Sequence, residues 1–262
     1  MLNISKFVCV VFGAAVLLTG CKGKDGDPGP AGANGAVGPS GPSGQNLTGN
    51  IFGFVNSVDE YSNVTAKNGI TVTLDGVTPA ATATTNSDGR YEFVGVRNGT
   101  YNMTFSRAGL ATFRRLGIAH VGGDQPTFLG TTTIAANSTT SIGTVTSSIQ
   151  PNNNVALSIP FTNAGAPAGA RFNFVAYLST STVTTAANGI PLVLPSVTNS
   201  PLNVGIPKAT LVSLGFVSGT TVYLVVYGAP SFLTGYTDPL TGRFIYVGLT
   251  SAPSNQVSFV VP

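Results

Sequence analysis

The sequence predicts an all-β chain, with two tandem β-sandwich domains set behind a leader and a Gly-X-Y stalk. Three observations carry that prediction. From Leu47 onward the apolar runs are short and split by Gly, Asn and Asp. Several of them alternate with period two, and no useful length keeps a helical period. Only 8% of the residues are charged, so exposed faces must be uncharged but polar. At 262 residues, less a leader of 20, the chain has room for one large or two ordinary domains.

The first 20 residues are of a different kind. Lys6 precedes an apolar run from Phe7 to Leu18, and Thr19 and Gly20 follow. A basic start, a short apolar core and small residues describe a secretory signal. The run falls short of the roughly 20 residues that a membrane-spanning helix needs. Leu18-Thr19-Gly20-Cys21 resembles the bacterial lipoprotein signal, in which the chain is cut before the cysteine. The resemblance implies that residues 1–20 are removed and that Cys21 carries lipid on its sulfur and its new amino terminus. An ordinary signal peptide with an incidental cysteine is the competing reading. Several acyl chains, at about 0.8 kcal/mol per buried methylene, hold a protein on a membrane where one would not. Lys22, where an aspartate would retain the protein at the inner membrane, resembles the outer-membrane class. Periplasmic and extracellular faces are both left open.

Glycine then recurs at 23, 26, 29, 32, 35, 38, 41 and 44, with Pro28, Pro30, Pro39 and Pro42 between. This Gly-X-Y tract resembles collagen, where only glycine fits the crowded axis of a triple helix. One reading is a homotrimer, its anchored ends raising the effective concentration of the three chains. The other is a stalk in a monomer, favoured by the tract's shortness and its sparse proline. Either way residues 21–46 are a spacer. If extended, 24 residues reach roughly 70 Å at about 3 Å each.

Residues 47–146 open with the strand Ile51-Phe52-Gly53-Phe54-Val55. Gly69 to Leu74 alternates, with Ile70, Val72 and Leu74 on one face. Thr82 to Thr85, Arg90 to Phe93 and Thr100 to Phe105 follow, with the turn Asn86-Ser87-Asp88-Gly89 between. Gly69 to Leu74, Thr84 to Phe93, Gly99-Thr100-Tyr101, Gly109 and a closing strand at Leu129 to Ile134 resemble the carboxypeptidase regulatory-like family. That family is a prealbumin-type β-sandwich of non-catalytic attachments, so the resemblance implies a fold and no reaction. Leu110 departs from the aromatic residue that often follows the glycine.

Residues 147–262 form the second unit. Ser147 to Asn154 is expected to be a linker or domain edge. Strands are expected at Val155 to Phe161, Ala170 to Leu178, Ile190 to Leu194 and Ala209 to Leu214. Further strands are expected at Thr221 to Tyr227, Arg243 to Val247 and Gln256 to Val261. Proline at 160, 191, 195, 201 and 207 falls at strand ends, where a missing N–H is tolerable. Leu214 to Tyr227 resembles a fibronectin type III or related immunoglobulin-like module.

Composition excludes several chemistries. Cys9 leaves with the leader and Cys21 would be lipidated, so no disulfide, thiol nucleophile or cysteine-held metal is expected. Formal charge is +3, or about +2 without Lys6, too weak for nucleic acid. His120 is the single histidine and would need Asp124 or Asp75 to orient it as a base. No serine sits in a Gly-x-Ser-x-Gly elbow. Asp59-Glu60 and Asn86-x-Asp88-Gly89 suggest acid–base and calcium roles, but turn geometry accounts for them as well. Catalytic residues, metals and cofactors are therefore expected to be absent.

Two groups are candidate ligand contacts. Arg107, Arg114 and Arg115, near His120, suit an anionic glycan or headgroup. A charged sandwich edge is the favoured alternative. Tyr223 and Tyr227 share a strand face and suit a sugar platform, with core packing the favoured alternative. The function expected is non-enzymatic: a lipid-anchored cell-envelope protein displaying two sandwiches for adhesion, structural assembly or partner binding. A glycan-binding accessory lipoprotein of a polysaccharide uptake system is the alternative, and the protein or glycan partner is unidentified.

Overall fold

The computed structural model describes residues 47–262. The expected leader, the expected lipidation site Cys21, Lys22 and the Gly-X-Y tract lie outside the described residues. Their regular structure is nearly all strand, in stacked sheets, with one short helix.

The first sandwich is built from eight strands. They are β1 (Thr48–Val58), β2 (Val64–Thr65), β3 (Thr71–Asp75), β4 (Ala81–Thr84), β5 (Arg90–Arg97), β6 (Gly99–Ser106), β7 (Phe113–His120) and β8 (Thr127–Ala135). In one sheet β1 lies between antiparallel β5 and parallel β8, with β2 beside its far end. The other runs β4-β3-β6-β7, all antiparallel. Because strand side chains alternate between faces, Ile51, Val55, Tyr91, Phe93 and Ile134 meet Val72, Leu74, Met103, Phe105 and Ile118 in one core. Each such side chain contributes about 1.5–3 kcal/mol by leaving water. Tyr91 stands edge-on to Phe93 and Phe105, at 6.2 and 5.6 Å between ring centroids. Gly53 makes room for it, since a Cβ there would lie 2.6 Å from the Tyr91 hydroxyl oxygen. The strand β7 is a departure from the sequence reading. Arg114 and Arg115 interrupt its apolar alternation, yet it pairs with β6 from end to end.

The chain enters its second core at Ile142 and Val145. There β9 (Ser141–Ile142) pairs with β12 (Phe161–Thr162). One sheet runs β10 (Thr146–Ile149), β11 (Val155–Ile159), β15 (Leu202–Ile206). The facing sheet runs β14 (Ile190–Val193), β13 (Asn173–Ser179), β16 (Thr221–Ala229), β19 (Val257–Val260). Val155, Leu157 and Ile159 pack against Phe174, Ala176, Leu178, Val222, Leu224 and Val226.

Three expectations are corrected here. Residues 147–149 belong to β10, and only 150–154 form the turn to β11. The strand β15, unpredicted, turns Leu202, Val204 and Ile206 to the core, with Val204 only half-buried. The expected strand at 209–214 is a helix, α1 (Lys208–Ser213). Pro207, with φ −63°, starts it, and Gly215 at φ +91° ends it. The Gly215 N–H donates to the Val212 carbonyl and the Phe216 N–H to that of Leu211, while both Leu211 and Phe216 enter the core. That paired C-terminal bonding, with its apolar contact, outweighs the β-branched Thr210 and Val212.

The outer face of the β13–β16 sheet is also buried. Val175, Tyr177, Val225, Tyr227 and Ala229 lie under Ala186, Leu233, Tyr246 and Leu249. Part of this cover is a hairpin of β17 (Gly235–Thr237) and β18 (Phe244–Tyr246). Arg243 clamps it, donating to the carbonyls of Ala187 and Gly189.

The two sandwiches are joined by contacts of both kinds. Val247, after the hairpin, packs into the first core. The Glu60 carboxylate accepts from the Thr139 N–H at 2.8 Å, the Thr139 hydroxyl and the Asn163 amide at 3.2 Å. Its own carbonyl accepts from the Ser231 N–H at 2.7 Å. Tyr61 stands edge-on to Phe172. Burial first, and then the Glu60 charge, push the Tyr61 hydroxyl up to about 12.

Candidate functional site

The apolar run Ile51-Phe52-Gly53-Phe54-Val55 has an inescapable consequence. With Ile51 and Val55 in the core, alternation turns Phe52 and Phe54 to the outer face of the β5-β1-β8 sheet. Parallel pairing sets Phe128 directly beside Phe52. Their rings stack at 4.9 Å and 28°, and Phe54 meets Phe128 edge-on at 6.3 Å. Nothing among the described residues covers this platform in the way the hairpin covers Tyr177. Phe128 is 58% exposed and Val94 77% exposed.

A polar group is ordered around the rings. The Arg90 guanidinium carbon lies 5.2 Å from the Phe52 centroid, in cation–π geometry. Glu92 accepts from Arg90 Nη2 at 2.8 Å and from Asn50 Nδ2 at 3.0 Å. The Arg90 hydrogen bond, helped by Asn50 against partial desolvation, holds its carboxyl below the ordinary value. Asn50 Oδ1 in turn accepts from the Gly95 N–H at 3.2 Å. Thr48, Asn50, Phe52, Arg90, Glu92 and Asp124 line a shallow groove of about 530 Å³. It offers ring area and pre-aligned hydrogen bonds, and it holds no nucleophile beside a base.

A second groove, of about 500 Å³, crosses the outer face of the β10-β11-β15 sheet. Thr146, Ser148, Gln150, Ser158 and Asn203 line it with hydroxyls and amides.

The residues singled out by sequence lie elsewhere. Arg107 donates to the carbonyls of Ala66 and Asn68 at 2.6 and 2.8 Å. Arg114 pairs with Asp75 at 3.5 Å, and Arg115 donates to the Leu129 carbonyl. Each arginine thus ties its own pair of segments, and the three do not form one anion-binding face. Tyr227 is 8% exposed and edge-on to Tyr177 at 5.6 Å. Tyr223 is half-buried on the same face of the strand. Tyr227 packs as core, the alternative favoured from the sequence, because the hairpin covers it.

His120 is buried, 3% exposed. A carbonyl only accepts, so its Nε2–H donates to Val96 at 3.1 Å, and Nδ1 takes the Thr127 hydroxyl at 2.7 Å. Neither Asp75 nor Asp124 is its partner. Asp59 accepts from the N–H groups of Tyr61 and Asn63 and from the Asn63 amide. Desolvation opposes its ionisation, yet those bonds together hold its carboxyl below the ordinary value. Asn86 Oδ1 accepts from the N–H groups of Asp88 and Arg90, which makes the segment a turn. Among the described residues no three His, Cys, Asp or Glu side chains gather for a metal. The signal for the platform was present as the second set of an alternating pair, Phe52 and Phe54.

No family model matches this chain, and no curated protein sequence does. Among solved structures, a DUF3823 family protein from Bacteroides ovatus is 14% identical, with 82% of this chain and 100% of that one covered, at a TM-score of 0.30. A type II cohesin–X–dockerin complex from Acetivibrio cellulolyticus is 24% identical over 34% of this chain, at a TM-score of 0.29. The chain spans 58% of that protein's length. The major pilin SpaD of Corynebacterium diphtheriae is 11% identical, over 81% and 65% of the two chains, at a TM-score of 0.26. Similarity at this level does not bear on ligand or activity.

Proposed function

We propose that this is a non-enzymatic, lipid-anchored cell-envelope protein that displays two β-sandwiches for adhesion and structural assembly. Cys21 carries the lipid, residues 21–46 are the spacer, the first sandwich is carboxypeptidase regulatory-like and the second, whose core already takes in Ile142 and Val145, is immunoglobulin-like. The observation that carries the reading is the Phe52–Phe54–Phe128 platform, two half-buried rings beside an exposed one, on the outer face of the first sandwich. Contiguous exposed apolar area of this kind marks interaction surfaces.

The test has two arms. Palmitate labelling and membrane retention are expected to be lost in Cys21→Ser and kept in Phe128→Ser. Cell–cell or cell–surface attachment is expected to fall in both. Attachment unchanged in Phe128→Ser would remove the platform from the function. A glycan-binding accessory role is the second reading, favoured by the hydroxyl- and amide-lined groove on the β10-β11-β15 sheet. Glycan-array binding abolished by Asn203→Ala would support it.

A further inference from the structure

We propose that the Phe52–Phe54–Phe128–Val94 face is a contact between copies of this chain, gathered by the Gly-X-Y tract. The inference rests on the assembly reading above and names its surface. The tract's last glycine is Gly44, eight residues before Phe52. Eight residues span at most about 28 Å. Copies held together through the tract therefore each keep Phe52 within that distance of the tract's last glycine.

The distribution of exposed apolar residues agrees. Leu47, Val94, Val121 and Phe128 are 39%, 77%, 73% and 58% exposed. All four lie by the end where the tract joins the sandwich. The Leu47 carbonyl accepts from Asn98, and that of Thr48 from Gly123. Val94 adjoins Gly95, whose N–H reaches Asn50. The rings are bordered by Arg90, Glu92, Asn50 and Asp124. An apolar centre with a polar rim is the composition of a protein interface. Tethering supplies millimolar effective concentration, so a modest face suffices.

The tract has a reason to hold a strict glycine period only if chains share an axis. A plain spacer has none.

The test is light scattering of the lipid-free chain from residue 23, across a wide dilution series. Wild type is expected to be a trimer. Phe128→Ser is expected to raise its dissociation constant about tenfold or more, and Phe52→Ser with Phe128→Ser further still. Thermal unfolding of the sandwiches should be little changed. A trimer that dissociates at the same concentration in the double variant would overturn the face while leaving tract assembly standing. A wild-type monomer at every concentration would overturn both. Monomers that bind a glycan array through Phe128 would assign the face to sugar instead.

Discussion

The two sandwiches carry the same feature and treat it in opposite ways. In each, one sheet turns aromatic rings away from its own core: Phe52, Phe54 and Phe128 in the first, Tyr177 and Tyr227 in the second. The second set is roofed by residues 229–250 and becomes a small core. The first has no roof among the described residues and stays at the surface. Whether an outward ring is packing or platform is decided by the chain that follows its strand, and not by the strand.

Substitutions sharpen the contrast. Tyr177→Ala removes a ring 2% exposed and should cost about 3–5 kcal/mol in chemical denaturation. A cost near zero would mean that the hairpin cover is loose in solution. Glu60→Ala leaves the Thr139 and Asn163 donors without their acceptor at the junction of the two sandwiches. It should cost about 1–3 kcal/mol.

Alkali tests the roofed side further. Burial, with Tyr227 and Tyr246 nearby, pushes the Tyr177 hydroxyl up to about 12, and burial does the same for Tyr91. Both hold their protons more tightly when folded. Their contribution is fully present below the ordinary value near 10 and is lost as pH rises towards 12. Denaturation midpoints should fall between pH 10 and 12, and less steeply in Tyr91→Phe. At neutral pH Tyr91→Phe should be nearly silent, since that buried hydroxyl has no hydrogen-bond partner. A small effect belongs to the platform. Phe128→Ala gives up its contacts with Phe52 and Phe54 and should cost about 0.5–1.5 kcal/mol, well short of unfolding, so any larger loss of association there is not a loss of fold.

Much of the fold was legible because period-two alternation writes buried strands directly, as in Ile70-Val72-Leu74 and Tyr91-Phe93. It failed where local chemistry competed. Gly215 and Phe216 close a helix turn over residues whose β-branched Thr210 and Val212 favour a strand, and Arg114 and Arg115 hide β7. The site was half legible. Phe52 and Phe54 had to face outward once Ile51 and Val55 faced in. Phe128 joins them only through a parallel pairing some 75 residues distant, which no local pattern announces. Tyr227 was left between platform and core, with core favoured, for the converse reason: its cover comes from a hairpin whose docking is tertiary.

The most direct measurement uses the cysteine content of the chain, whose two cysteines, Cys9 and Cys21, both precede the sandwiches. Val94→Cys, at the platform's most exposed position, can be oxidised mildly in whole cells carrying the full-length protein. Disulfide-linked pairs that disappear when the tract glycines are replaced would mean that copies meet at this face under the tract's direction. A Val94→Cys chain that stays monomeric while chemical cross-linking still captures oligomers would contradict that account.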